Sequence, residues 1–260
     1  HRLIRRQRQM CIRDRLRVVD NQCPVHIPWT LFVHQKTGQR NILHNSYYKT
    51  RSKIMKTTIN CFLPFSRLEE TVQTVKELRA STLVDKIYLL ASPITNVCIP
   101  GCELISVEKM QSTQAMRAIA EHSDKAYTLL YTKRTALKIG MFALERMVQV
   151  MEMTHAGMAY ADHYQQMDGV QKPAPVIDYQ PGSLRDDFNF GSVLLFNANA
   201  FKEVIENTEE EYQYAGLYDL RLKISQKSKL VHINEYLYTE VESDKRKSGE
   251  KQFDYVDPKN

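Results

Sequence analysis

Lys133 and Arg134 stand side by side in a polar turn that follows the apolar run AYTLLY (126–131) and precedes the amphipathic stretch ALKIGMFALERMV (136–148). An apolar run ending in a charged turn before a helix puts that turn at the carboxyl end of a parallel strand, where open α/β sheets bind ligands. Two cations there suit an anion: arginine grips a phosphate through paired N–H bonds, and lysine acts as a point charge. Cations at a helix N-terminus are disfavoured by about 0.3–1 kcal/mol each, a mild argument for a ligand over a solvated helix start.

Carboxylates supply the complementary chemistry. Asp162, in YADHY, follows an apolar strand at the same edge; it could bind ribose, sugar hydroxyls or a metal, or cap a turn. Its neighbour His163 reads as a surface histidine. Asp186 and Asp187, in SLRDDFNFG before a strand at 191, are candidates for a base that deprotonates a hydroxyl, with Asp187 slightly favoured. Arg185 beside them would otherwise make a salt-bridged turn. Asp219 lies on a helix whose buried side is Leu217, Leu220, Leu222 and Ile224, while Glu209, Glu210 and Glu211 read as a solvated helix start.

The elements that must position these groups alternate. TTINCFL (57–63) is a strand closed by Pro64, and Leu68, Val72, Val75 and Leu78 give a helix over 67–80, with Ser66 and Glu69 forming a capping box. Strands follow at 86–91 (ending at Ser92-Pro93) and 103–107, then a helix at 111–122 and the strand at 126–131. A helix over about 137–153, with Met141, Met147, Met151 and Met153 in the core, leads to a strand at 157–161. Residues 164–190, with three prolines and two glycines, read as one long loop. A strand at 191–196, helices at 198–207 and 213–226, and strands near 229–233 and 235–241 complete the pattern. Such alternation implies a mainly parallel sheet covered by helices on both faces.

Charge is unevenly spread. Of the net +6, residues 1–54 carry +10 and residues 55–260 carry −4, so the pI near 8.9 does not by itself argue for nucleic-acid binding by the folded part. Residues 1–54 lack periodicity, hold the only tryptophan and half of the eight histidines, and contain RQMCIRDR, which resembles translated sequencing-adapter DNA. The expectation is a non-native or disordered leader, with translation starting at Met55; the rival is a basic RNA-binding arm. Residues 243–260 read as a polar tail, truncated at its end. No apolar run of 18 residues and no signal peptide are seen, so the expected compartment is the cytoplasm, including the inner face of the membrane. The five cysteines form no metal-ligand spacing and read as reduced. Walker, GxGxxG and GxSxG motifs are absent.

From Met55 to Val241 this order resembles the GT-A domain of family-two glycosyltransferases. The resemblance is carried by TTINCFLPFSRLEETVQTVKEL, KIYLLAS, the 118–148 stretch, FGSVLLFNANAFKEVI and YAGLYDLRLKIS; the overall flavour, with RKSGEKQFDYVDPKN, is similar to Bacteroidetes glycosyltransferase-like proteins. It implies a GT-A-like fold, and transfer of a hexose from a nucleotide diphosphate sugar to a glycan or lipid-linked hydroxyl. Pro64, Phe65, Ser66, Arg67 and Ser92 would face the base and ribose. Thr132, Lys133 and Arg134 occupy the place of the family's metal-binding Asp-X-Asp motif, and Gly216 and Leu217 the place of its usual base. The expectation is therefore no metal ligand set and at most a weak Mg²⁺ or Mn²⁺ requirement. Lys133 and Arg134 would hold the diphosphate, Asp162 would help bind the donor, and Asp187, Asp186 or Asp219 would act as base. The alternative is a non-catalytic sugar-nucleotide or glycan-binding module.

Overall fold

The computed structural model describes residues 58–95, 97–184 and 188–242. The leader, Asp186, Asp187 and the tail lie outside the described residues. Strand β1 (Ile59–Pro64) is buried along its whole length, as a strand covered on both faces must be. Its polar residue Asn60 donates from Nδ2 to His122 O at 2.9 Å and to Asp124 Oδ1 at 2.5 Å, while its buried Oδ1 has no hydrogen-bond partner among the described residues.

The chain continues through α1 (Leu68–Arg79), β2 (Val84–Ala91), β3 (Cys102–Ser106), α2 (Thr113–Glu121), β4 (Tyr127–Tyr131) and β5 (Ala136–Ile139). Next come α3 (Ala143–Thr154), β6 (Met158–Met167), β7 (Val170–Ala174), β8 (Val193–Asn197), α4 (Ala198–Glu206), α5 (Gly216–Lys227) and β9 (Leu230–Glu242). Among the described residues these strands form one sheet in the order β3-β2-β1-β4-β8-β6-β9-β5, with β7 paired to β6. The first half, β3-β2-β1-β4, is parallel throughout. The second half is mixed: β8 runs against both β4 and β6, β9 runs parallel to β6, and β5 and β7 add antiparallel pairs. The strap between β7 and β8 has no helix among the described residues, so no helical crossover sets β8 parallel to β6.

Two cores sandwich the sheet. On one face α1 and α3 set Val75, Leu78, Leu144, Met147, Val148 and Met151 against Cys61, Leu89, Leu129 and Ala159. On the other α2, α4 and α5 set Met116, Ile119, Phe201, Val204 and Leu220 against Phe62, Tyr88, Leu130, Tyr160 and Phe196. Each fully buried phenylalanine among them contributes about 1.5–3 kcal/mol. This is a mixed α/β sheet flanked by helices on both faces, as the order of elements predicts, but the expected mainly parallel sheet holds only for its first half.

Several elements differ from expectation. Residues 136–139 are a strand, not a helical turn, because they pair with β9, while Leu137 N donates to Thr74 Oγ1 at 3.0 Å; pairing overrides local helix propensity. The helix begins only at Ala143, after Phe142 in the left-handed region (φ 58°), so Met141 is exposed, as is Met153, while Met147 and Met151 are core. On α1 the buried stripe is Thr71, Thr74, Val75 and Leu78, with Leu68 and Val72 exposed. The two threonine hydroxyls are satisfied by Arg67 O and Glu70 O. The Ser66–Glu69 capping box does not form: Arg67 is the N-cap, and Ser66 Oγ donates to Glu70 Oε2 at 3.2 Å instead. Glu209–Glu211 precede α5 without being part of it; Glu210 pairs with Lys223 and Glu211 with Arg117.

The long loop contains a hairpin. β6 runs on to Met167, turns through Asp168 (φ 50°) and Gly169 (φ 82°), and returns as β7. Two left-handed central residues are what a two-residue type I′ turn demands, and Asp-Gly is a strong sequence signal for it. The last two expected strands are one, β9, whose pairing with β6 slips on either side of Asp162. Irregularities of this kind re-aim side chains.

Candidate functional site

β4 ends at Tyr131 opposite Val193 of β8, and Ala159 of β6 faces Leu195. Asp162 and His163 therefore lie just past the level of Tyr131, at the edge where β1 passes into the turn Pro64–Arg67. Phe65 and Ser66 are half-buried and Arg67 is exposed in that turn, Phe65 N donating to Leu90 O at 2.8 Å. Ser92 follows β2 at the same edge; its side chain is exposed and its carbonyl accepts from Thr95 N. Arg134 is exposed beyond β4.

Successive residues of a strand point to opposite faces, and Asp162 and His163 accordingly enter different networks. On the α1/α3 face, Lys133 Nζ is 2.5 Å from Glu240 Oε2, and His163 Nε2 is 3.4 Å from Glu240 Oε1. Glu240 is wholly buried. Burial alone would raise its carboxyl pKa, but His163 and Lys133 outweigh that and hold it down at about 2. His163, expected at the surface, is 2% exposed and stacks on Tyr238 with centroids 5.1 Å apart and planes 5° apart. Tyr238 Oη in turn accepts from Ser192 N at 2.9 Å. The backbone that makes this approach is Gly191, at φ 74°, where a Cβ would stand 2.2 Å from Tyr238 Oη. Lys133 is thus already balanced by a carboxylate from the far end of the chain.

On the opposite face, Asp162 Oδ1 accepts from Val176 N at 2.8 Å and meets His232 Nε2 at 2.9 Å, and His232 Nδ1 lies 2.6 Å from Asp178 Oδ1. The imidazole is stacked on Tyr160 at 5.1 Å, and Tyr160 Oη bonds Ile177 O and Tyr179 N on the strap. Asp162 and His232 are sealed off, whereas the Asp178 side chain is 76% exposed. A buried carboxylate, an imidazole and an exposed carboxylate thus stand in line, joined by hydrogen-bond distances. Asp178 and His232 were not singled out from sequence: one lies in an apparent loop, the other in an apolar strand with no motif.

Asp219 is held by Lys223 at 2.8 Å on α5, and Lys223 also reaches Glu210 at 3.0 Å. A divalent cation is not suited to the end of β4: Thr132, Lys133 and Arg134 offer no carboxylate there, and the nearby Glu240 already serves Lys133. Among the described residues no group of three or more His, Cys, Asp and Glu is arranged to hold a metal. Cys61, Cys98 and Cys102 are free thiols. No helix among the described residues is long and apolar enough to cross a membrane.

No protein-family model and no curated protein matches the chain. Among solved structures it is similar to TarS 1-349 of S. aureus, at 8% identity and TM-score 0.49 over 70% of this chain and 60% of that one. It is also similar to GalNAc-T7 with UDP, GalNAc and Mn2+, at 12% identity and TM-score 0.49 over 72% and 44%. A third is the 2-C-methyl-D-erythritol 4-phosphate cytidylyltransferase of Thermus thermophilus, at 11% identity and TM-score 0.39 over 68% and 89%. The chain spans less than two thirds of the length of the first two. At these identities, with TM-scores below one half, the likenesses carry nothing about reaction or residues.

Proposed function

We propose that the chain transfers a hexose from a nucleotide diphosphate sugar to a hydroxyl of a glycan or lipid-linked acceptor. The observation that carries this reading is the contact of His232 with the exposed carboxylate of Asp178, a group able to accept a proton, with the exposed cation Arg134 beyond the end of β4 taken as the anion's partner. The acceptor hydroxyl gives its proton to that pair, and its oxygen bonds to the anomeric carbon. The bond from that carbon to the diphosphate breaks, and the electron pair leaves with the nucleotide diphosphate, stabilised by Arg134. Lys133 contributes to this potential only through what Glu240 leaves of its charge. The turn Pro64–Arg67 and Ser92 face the nucleotide base and ribose. Asp162 acts behind His232, which it orients. Asp186, Asp187 and Asp219 remain candidates for the base, Asp219 having first to release Lys223.

The test is donor hydrolysis and transfer over a panel of nucleotide sugars, with and without chelator, in native chain and Asp178→Asn. Strict Mg²⁺ or Mn²⁺ dependence, or full transfer by Asp178→Asn, would defeat this assignment. The pairing of Lys133 with Glu240 and of Asp219 with Lys223 favours a second reading, a sugar-nucleotide or glycan-binding module without turnover. Calorimetric binding of a nucleotide sugar with no product formed would select it.

A further inference from the structure

Arg221 on α5 is a cation without a counterion among the described residues. Its guanidinium lies over the Phe190 ring, 5.1 Å from the centroid, and its Nε is buried with no hydrogen-bond partner. The acids nearest in sequence are committed elsewhere, Asp219 to Lys223 and Glu210 to the same lysine. Burial pushes the guanidinium down to about 10, the direction expected of a cation desolvated without compensation. Arg221 as a whole is half-buried, so its guanidinium has one sealed, unpartnered N–H at Nε and room for a partner from outside the chain.

The surroundings narrow what that is. Phe190 is in van der Waals range of Phe188, at 4.5 Å between centroids, and of Tyr160, at 4.8 Å edge to face; Tyr179 stands 6.1 Å from Phe188. Phe188 and Tyr179 are only half-buried, so the two rings that flank Phe190, on which Arg221 lies, reach solvent. Aromatic faces receive the C–H faces of a sugar ring, and a guanidinium edge receives two oxygens of a carboxylate or phosphate. The geometry points to a subsite in which Arg221 pairs with an oxyanion borne by a sugar ring that packs on Phe188 and Tyr179. Because Tyr160 joins Phe190 to His232, this subsite shares its face of the sheet with the Asp162–His232–Asp178 line. It stands whether or not the chain transfers sugar.

The probes are glucuronate, glucose 6-phosphate and glucose, titrated into the full chain without nucleotide sugar and followed by NMR of the arginine Nε–H and the aromatic rings. Glucuronate or glucose 6-phosphate is expected to shift the Arg221 Nε–H and the Phe188 and Tyr179 resonances, and to bind at least tenfold tighter than glucose. The arm that binds tighter names the oxyanion, carboxylate or phosphate. Arg221→Gln abolishes the preference for the charged sugars, and Phe188→Leu weakens all three sugars alike while leaving the Nε–H response to an anion. Equal binding of glucose and the acids overturns the subsite. So does an Nε–H signal insensitive to every probe but moved by Asp186→Asn or Asp187→Asn, since the counterion would then belong to the chain itself.

Discussion

Lys133 reaches from the end of β4 to within 2.5 Å of Glu240, 107 residues later on β9. The pair ties the turn that should receive an anion to a carboxylate that the protein keeps ionised in its interior. Its cost in desolvation is offset only while both partners are present, since removing one partner of a buried pair costs about 3–5 kcal/mol.

Glu240→Gln should therefore destabilise the fold by about 3 kcal/mol and change its acid response. The folded carboxyl sits at about 2 against an ordinary 4.5. A depressed pKa means that the stabilisation is fully present above pH 4.5 and is lost as pH falls from there through about 2. Urea denaturation across this range should give a steeper loss for the native chain than for Glu240→Gln; parallel curves would show that the carboxylate is not held ionised.

Gly191→Ala is expected to cost more than about 2 kcal/mol, because the residue is left-handed and its new methyl meets the Tyr238 hydroxyl. Relief by Tyr238→Phe, which removes that oxygen, would appear in thermal melts of the double variant as recovery of part of the loss. The Ser192 N–H then lacks its acceptor, so recovery stays incomplete.

Asp178→Asn should leave stability within about 0.5 kcal/mol, as an exposed polar substitution does, and lower kcat for transfer by about 10²-fold or more. Asp162→Asn should instead destabilise by about 1–3 kcal/mol, because Asp162 is buried between Val176 N and His232. Equal effects of the two substitutions on stability would dissolve the distinction between an outer proton acceptor and a buried support.

Arg134→Ala is expected to raise the donor KM about tenfold with a smaller effect on folding, since its side chain is exposed. Lys133→Ala should act the other way round, through stability. Steady-state kinetics read beside a denaturation curve separates them.

Much of this is legible in the residues alone. The parallel half of the sheet and its helices announce themselves through apolar runs and helical spacing, and the strand ends place Pro64, Ser92, Lys133 and Asp162 at one edge. What is not legible depends on partners remote in sequence. ALKI reads as helix until β9 is there to pair with it, and Glu240 carries no local motif that marks it for Lys133. His163 looks like a surface residue because its ring is buried by Tyr238, 75 residues on. Asp168-Gly169 is the exception: its turn chemistry is in plain view, masked by the prolines that follow it.

Asp162 and His163 are neighbours in sequence that serve opposite layers, and the pairing slips of β9 on both sides of Asp162 fix which serves which. The parity of β6 is therefore information in its own right. A single-residue deletion between Met158 and Tyr160 would turn aspartate toward Tyr238 and histidine toward Tyr160, exchanging the occupants of the two networks while leaving the composition of the strand almost unchanged. A two-residue deletion would restore the parity, so along this strand tolerance to length change should alternate between odd and even.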